Sequence, residues 1–193
     1  MEESGLPPDQ HEIPKILRWN IDHPGIVSKN PNIDLKRWTL TVDGEVENPL
    51  KLSWTDFLRL PSAESKSDFH CVEGWSVRNC IWYGVKFSTI ASRATPKEHA
   101  RYVSFRCADG YTTSLNLEEL LKDKVLLAYK LNGEPLDGSL GGPVRLVVPD
   151  KYAYKSAMWI ERISFTKEKE LGFWEKRGYS DYADVWSNSR FSR

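Results

Sequence analysis

Asp68-Phe69-His70-Cys71-Val72-Glu73-Gly74-Trp75-Ser76 is the stretch on which the reading of this sequence turns. Residues 68–72 read as a strand that carries Cys71 towards an exposed turn at Gly74. Side chains alternate across a strand, so Cys71 and Glu73 share one face and His70 takes the other. Zinc is poorly supported there, because neighbours on opposite faces do not chelate one ion. Cys80 and Cys107 have no C-x-x-C spacing, and His11, His23, His70 and His99 do not cluster. On spacing alone, a free cysteine such as Cys71 reads as a small buried core residue.

Working outward, Trp38, Leu40 and Val42 alternate with Thr39 and Thr41, and Asp43-Gly44 supplies a hairpin turn. Ser53 caps a short helix that ends before Pro61, with Asp56 at the capping-box position. Strands are expected at 81–85 and 102–107, with Asp109-Gly110 as the next turn. Asn116 opens a helix through Asp123. Residues 125–131 form a strand turned by Asn132-Gly133, and further strands cover 144–148 and 159–165. The last 28 residues, with Trp174, Tyr179, Tyr182 and Trp186, read as irregular packing. Many strands and few short helices give an α+β, mostly-β single domain with mixed sheets.

The chain has 193 residues, which suits one domain over 16–193 behind a flexible or extended N-terminal arm over 1–15. Lys+Arg 27 cancels Asp+Glu 27, so no global field draws in nucleic acid, and duplex binding is disfavoured. The densest apolar stretch, Val125 to Tyr129, is far below the ~20 residues of a membrane-spanning helix. Glu2, Glu3 and Pro7-Pro8 stand where a secretory signal would be basic and then apolar, so the cytoplasm is the expected compartment. Three cysteines without a signal do not suggest a disulfide framework.

Generic enzyme motifs are absent: no P-loop, no G-x-G-x-x-G, no H-E-x-x-H and no G-x-S-x-G. One residue stands out. Arg145 follows a Gly-Gly-Pro turn and enters a run that is otherwise apolar, Val144 to Val148. A cation buried there needs a partner, since an unpaired buried charge costs several kcal/mol.

Taken with two further blocks, the Cys71 segment resembles the molybdopterin-binding domain of the sulfite oxidase family. The first block is Asn132-Gly133-Glu134-Pro135-Leu136, Gly141 to Pro149 and Tyr154-Lys155-Ser156-Ala157-Met158-Trp159. The second is Gly172-Phe173-Trp174-Glu175 with Arg177-Gly178-Tyr179. Together they cover about residues 15–185 in the family's order. The similarity is to the short one-domain prokaryotic type, of which methionine-sulfoxide reductase catalytic subunits are an example.

That resemblance implies a molybdenum–molybdopterin cofactor, with Cys71 as the one protein ligand to the metal, a soft thiolate suited to it. It implies that Arg145 meets the pterin's terminal phosphate as a charge-assisted pair. Lys155, Ser156, Ala157 and Met158 become a cofactor strip, and Asn20 and His23 a second, N-terminal one. The family's phosphate-side asparagine or histidine falls on Leu140, with Ser139 as its replacement. Glu73, on the face of Cys71, lies at the open side of the site. Trp75 walls the funnel or packs, and Arg78, Arg106 and Tyr111 complete the polar candidates.

The implied chemistry is two-electron oxygen-atom transfer, in which the cofactor does the hard step. Sulfite oxidases proper place arginines beside the cysteine to hold a dianion, whereas this chain has Glu73-Gly74-Trp75. Two like charges ~5 Å apart at an effective dielectric of 20 repel by roughly 3 kcal/mol. A neutral S-oxide or N-oxide therefore fits better as the small-molecule substrate. Sulfite oxidation and a non-catalytic pterin-binding domain are the alternatives. No haem, flavin or Fe–S motif is visible, so an external electron-transfer partner is expected.

Overall fold

The computed structural model describes residues 5–18 and 30–192. Among these the chain forms β1 (His11–Glu12), β2 (Thr39–Gly44), β3 (Leu50–Ser53), α1 (Trp54–Leu58), β4 (Ser62–His70), β5 (Trp75–Lys86), α2 (Phe87–Ala94), β6 (Tyr102–Cys107), β7 (Thr112–Asn116), α3 (Leu117–Leu120), β8 (Leu126–Leu131), β9 (Glu134–Pro135), β10 (Arg145–Val147) and β11 (Ile160–Thr166). The result is mostly-β, as expected from the strand patterning.

The strands form two mixed sheets. In the first, β4, β1 and β8 all pair with β5, while β10 and β9 pair with β8. In the second the order is β3-β2-β11-β6-β7. The pairs β1/β5 and β2/β11 are parallel, and the rest are antiparallel.

Leu40, Val42, Phe105, Ile163 and Phe165 of the second sheet meet Val85, Leu127, Val144 and Leu146 in one core. Each such fully buried side chain contributes about 1.5–3 kcal/mol of transfer free energy. The first sheet is buried on its other face too. There Phe69, Trp75, Trp82, Leu126, Ala128 and Val147 form a second cluster, which includes Cys71. Burial on both faces is why Val144 to Val148 is apolar at every position except Arg145. Leu146 serves the first core and Val147 the second, so period-two alternation puts Arg145 on the Cys71 side of β10.

Several local expectations need correction. Asp43-Gly44 is no hairpin turn: both residues lie within β2, and the link to β3 follows them. Gly44 is needed for close approach, because a Cβ there would stand 2.2 Å from the Phe165 carbonyl oxygen of β11. The expected helix from 116 to 123 is one short turn, α3, which ends at Leu120; Asn116 stands at its N-cap but ends β7, paired with Tyr102 of β6, and its side chain makes no cap hydrogen bond. Helix α2 carries no start signal in the sequence, since no side chain caps it. Phe87, Ile90, Ala91 and Ala94 are nevertheless spaced for burial on one face and are buried. The capping box of Ser53 and Asp56 forms as expected. So does the Asn132-Gly133 turn, with φ of 52° and 87°.

Candidate active site

Cys71 leaves the end of β4 and opens a tight loop. Its N–H donates to the Trp75 carbonyl at 2.9 Å, and its carbonyl accepts from Gly74 N–H at 3.1 Å. Gly74, with φ 102°, is buried rather than exposed as expected, because residues of the N-terminal arm cover it. The thiol faces a cavity of about 410 Å³. Burial pushes its pKa up to about 12; the nearby backbone N–H of Glu73 opposes that rise, and the Glu73 carboxylate adds to it. Burial thus keeps Cys71 a thiol at neutral pH, and a bound metal ion would deprotonate it.

Glu73 and Trp75 line the same cavity. Glu73 Oε2 lies 3.9 Å from Cys71 Sγ and accepts from Trp75 Nε1 at 3.4 Å. Cys71 and Glu73 therefore do share a face, although through a turn rather than a continuous strand. For Trp75 the two alternatives are not exclusive, since it lines the cavity and also packs against Phe69.

Arg145 also lines this cavity and is 3% exposed. Its Nη1 donates to the Leu140 carbonyl at 2.9 Å and its Nη2 to the Ser156 carbonyl at 3.2 Å. The guanidinium lies over the rings of Phe69 and Trp82, at 5.0 and 5.5 Å. Burial lowers its pKa to about 10, with Cys80 opposing, so it stays charged at neutral pH. Among the described residues no carboxylate pairs with it, and its buried Nε has no hydrogen-bond partner. A buried, uncompensated guanidinium with an orphaned donor is what an anionic group of a ligand would satisfy. This is the observation by which the residues present fit a phosphate-bearing pterin.

The strip after β10 lies on the cavity in part. Ser156, Ala157 and Met158 line it. Ser156 Oγ accepts from Val148 N–H at 3.1 Å, and the Ala157 carbonyl accepts from Leu146 N–H at 2.8 Å. Met158 packs on Gly141, where a Cβ would stand 2.6 Å from its Cγ. Lys155 must be corrected. It does not line the cavity; its ammonium is buried against Glu175, Asp181 (3.3 Å) and the Ser114 carbonyl (3.0 Å). A buried ammonium takes the nearest carboxylates, and those lie in the C-terminal segment, so Lys155 anchors that segment.

Arg106 is corrected as well. It is exposed on β6, opposite Arg162 of β11, and lines a separate depression on the second sheet. Alternation places Phe105 in the core and turns Arg106 outward. Arg78 is half-buried on β5 and lies 3.9 Å from Asp68. Tyr111 does line the cavity, and its hydroxyl donates to the Tyr154 carbonyl. Leu140 contributes its main-chain carbonyl to Arg145, while its side chain offers no polar atom in place of the family's asparagine or histidine. Ser139 lines the cavity but spends its hydroxyl on Asp137 at 2.5 Å. Asn20 and His23 lie outside the described residues.

Some lining residues escape the sequence reading. Asp109 adds a second carboxylate to the cavity, with a pKa raised by burial. Tyr154, Trp174 and Tyr179 form an aromatic wall, with Tyr179 at 5.5 Å from Tyr154 and 5.1 Å from Trp174. Trp174 and Tyr179 belong to the aromatic-rich last 28 residues, which in sequence look like packing alone, and Tyr154 stands apart from them beside Lys155. Among the described residues no three of His, Cys, Asp and Glu converge as a metal site. A metal here would hold Cys71 and take its remaining ligands from a cofactor.

Comparison with known proteins agrees with this geometry. Residues 27–174 match the model of the oxidoreductase molybdopterin binding domain. The chain is 46% identical over 159 residues to the uncharacterized oxidoreductase YuiH of Bacillus subtilis, covering 82% of this chain and 80% of that one. It is 33% identical over 173 residues to the protein-methionine-sulfoxide reductase catalytic subunit MsrP of Campylobacter jejuni, covering 81% of this chain but 58% of that protein. The chain thus spans little more than half of that reductase subunit. Among solved structures, the sulfane dehydrogenase SoxCD of Paracoccus pantotrophus shares the fold, with a TM-score of 0.70 at 23% identity over 80% of this chain and 44% of that one. A cysteine and an unpaired arginine on one cavity, in a chain so matched, place this protein in the oxidoreductase molybdopterin-binding domain family.

Proposed function

We propose that this chain is a reductase-type oxotransferase acting on a neutral S-oxide. The single observation that carries the reading is the common cavity of Cys71 and the unpaired Arg145. Cys71 would hold molybdenum, while Arg145 and the main chain of 156–158 would hold the pterin and its phosphate. When bound, the group supplies two-electron oxygen-atom transfer.

The protein's own residues select the substrate. Glu73 and Asp109 put two carboxylates on the cavity, which disfavours a dianion such as sulfite. Trp75, Tyr154, Trp174 and Tyr179 wall it with aromatic surface that excludes water and suits an apolar sulfoxide. Glu73, steadied by Trp75 Nε1, is the group positioned to pass protons to the departing oxygen. The reaction R₂SO + 2H⁺ + 2e⁻ → R₂S + H₂O takes its electrons from a separate redox partner. The methionine-sulfoxide reductase subunits among the relatives support this direction.

The test is the full chain purified from a pterin-competent host. Stoichiometric molybdenum with reduction of methionine sulfoxide by an artificial electron donor, and little sulfite oxidation, is expected. Efficient sulfite oxidation would reverse the assigned direction, and absence of molybdenum would end the proposal.

A further inference from the structure

The loop that carries Cys71 is held from behind by both ends of the chain. Each of three carbonyls of this loop has a partner there. Gln10 Nε2 donates to the Cys71 carbonyl at 3.1 Å, and His11 N–H donates to the Gly74 carbonyl at 2.9 Å. Between them, Arg190 Nη1 donates to the Val72 carbonyl. Arg190 spends its other nitrogens on the same assembly. Nη2 donates to the Asp9 carbonyl at 3.1 Å and Nε to Asn188 Oδ1 at 2.7 Å. Asn188 in turn donates to Asp9 Oδ2 at 2.8 Å and accepts from the Tyr152 hydroxyl at 2.9 Å. The guanidinium also lies 5.2 Å over the Tyr152 ring.

We infer that Arg190 is a positioning residue for Cys71, acting through the main chain of Val72. Resting on the function proposed above, it keeps the 71–74 loop in the one arrangement that aims Cys71 Sγ and Glu73 into the cavity. The planar fork suits this role, because three nitrogens reach three acceptors on three segments, which an ammonium does not reproduce. The tail itself is attached mainly by polar contacts. No residue of 188–192 is buried, and Phe191 is 63% exposed. Loss of Arg190 should therefore loosen the loop while leaving the two cores intact. Residues 9–11, 188 and 190 all lie outside the 27–174 match, so this support is supplied by the chain's own ends rather than by the matched domain.

The three free cysteines provide an internal control, since all are buried but only Cys71 stands on the clamped loop. The experiment is iodoacetamide alkylation of the cofactor-free full chain at fixed pH, with each cysteine followed by mass spectrometry. In Arg190→Ala, Cys71 should react roughly 10- to 100-fold faster, the effect of one lost charge-assisted hydrogen bond on a local opening. Cys80 and Cys107 should keep their wild-type rates. Arg190→Lys should restore the slow rate only in part, and Gln10→Ala, which loosens the neighbouring carbonyl, should also expose Cys71. In cofactor-loaded protein, Arg190→Ala should shift the molybdenum(V) resonance spectrum and lower kcat with little change in KM. Equal acceleration at all three cysteines, or none at Cys71, overturns the inference. If Arg190→Ala does not fold, Arg190→Lys and Gln10→Ala decide it by the same comparison. Because alkylation needs no cofactor, a failure of the molybdenum reading leaves this result separately legible.

Discussion

The guanidinium of Arg145 stands 5.0 Å from the ring centroid of Phe69, so the strand that delivers Cys71 meets the strand that delivers the buried cation. Neither strand makes a site alone. Their apposition puts a soft metal ligand and an unpaired anion-binding group on one cavity, with the Lys155 ion cluster beside it.

Replacing Cys71 with Ser should remove the molybdenum signature and activity while the fold survives, because a hydroxyl is a poor substitute for a soft thiolate. Cys80→Ser and Cys107→Ser should keep both properties. Each would cost about 1–3 kcal/mol for burying a hydroxyl in a core that now holds sulfur. Metal content and electronic spectra of the three variants check this. An unchanged spectrum for Cys71→Ser would remove it from the metal.

Arg145→Met should separate binding from stability. The cofactor-free variant sheds a buried cation that has no carboxylate partner among the described residues but loses its hydrogen bonds to the Leu140 and Ser156 carbonyls, so its stability should change by no more than about 1 kcal/mol. Its Tm should stay within roughly 2–4 °C of wild type for a chain of this size. Pterin and metal content should fall at the same time. A less stable cofactor-free variant with full occupancy would mean that Arg145 is a structural residue.

Glu73→Gln removes the charge beside Cys71 and nearly keeps the shape. Sulfite should become a better substrate, chiefly through KM, by at most roughly 100-fold at this distance. S-oxide reduction should slow if the carboxylate passes protons. Paired steady-state assays with an artificial donor and an artificial acceptor measure both directions. Indifference in both would show that Glu73 is not part of the chemistry.

Asp181 gives a pH dependence of known sign. Burial alone would raise its pKa, but Lys169 and Lys155 outweigh burial and hold the carboxyl below its usual range. A depressed carboxyl contributes stability that is full above the unfolded-state pKa, about 4, and is lost as pH falls through the lower folded value. Asp181→Asn should therefore be less stable than wild type near neutrality. The two should converge in acid, as thermal unfolding from neutral to strongly acidic pH would show. A constant gap across that range would contradict the ion-pair account.

What the sequence by itself determined was local or self-contained. The Ser53–Asp56 box and the Asn132-Gly133 turn are written in adjacent residues, and each forms as read. Arg145 is conspicuous because a charge in an apolar run breaks a pattern that needs no partner to be seen. The resemblance around Cys71 names the cofactor class, whereas Glu73 reaches the cavity through the tight 71–74 turn and not by strand alternation. Tertiary structure decided where charges end. Lys155 belongs to the cofactor by its neighbours in sequence, but Glu175 and Asp181 reach it across the fold. Arg106 is drawn to the site by its charge, and the pairing of β6 with β11 turns it to another surface. The aromatic wall and the clamp on the Cys71 loop join residues far apart in the chain. Long-range pairing of this kind leaves no period or spacing in the sequence, because its partners are set by the closing of the sheets and not by neighbouring residues.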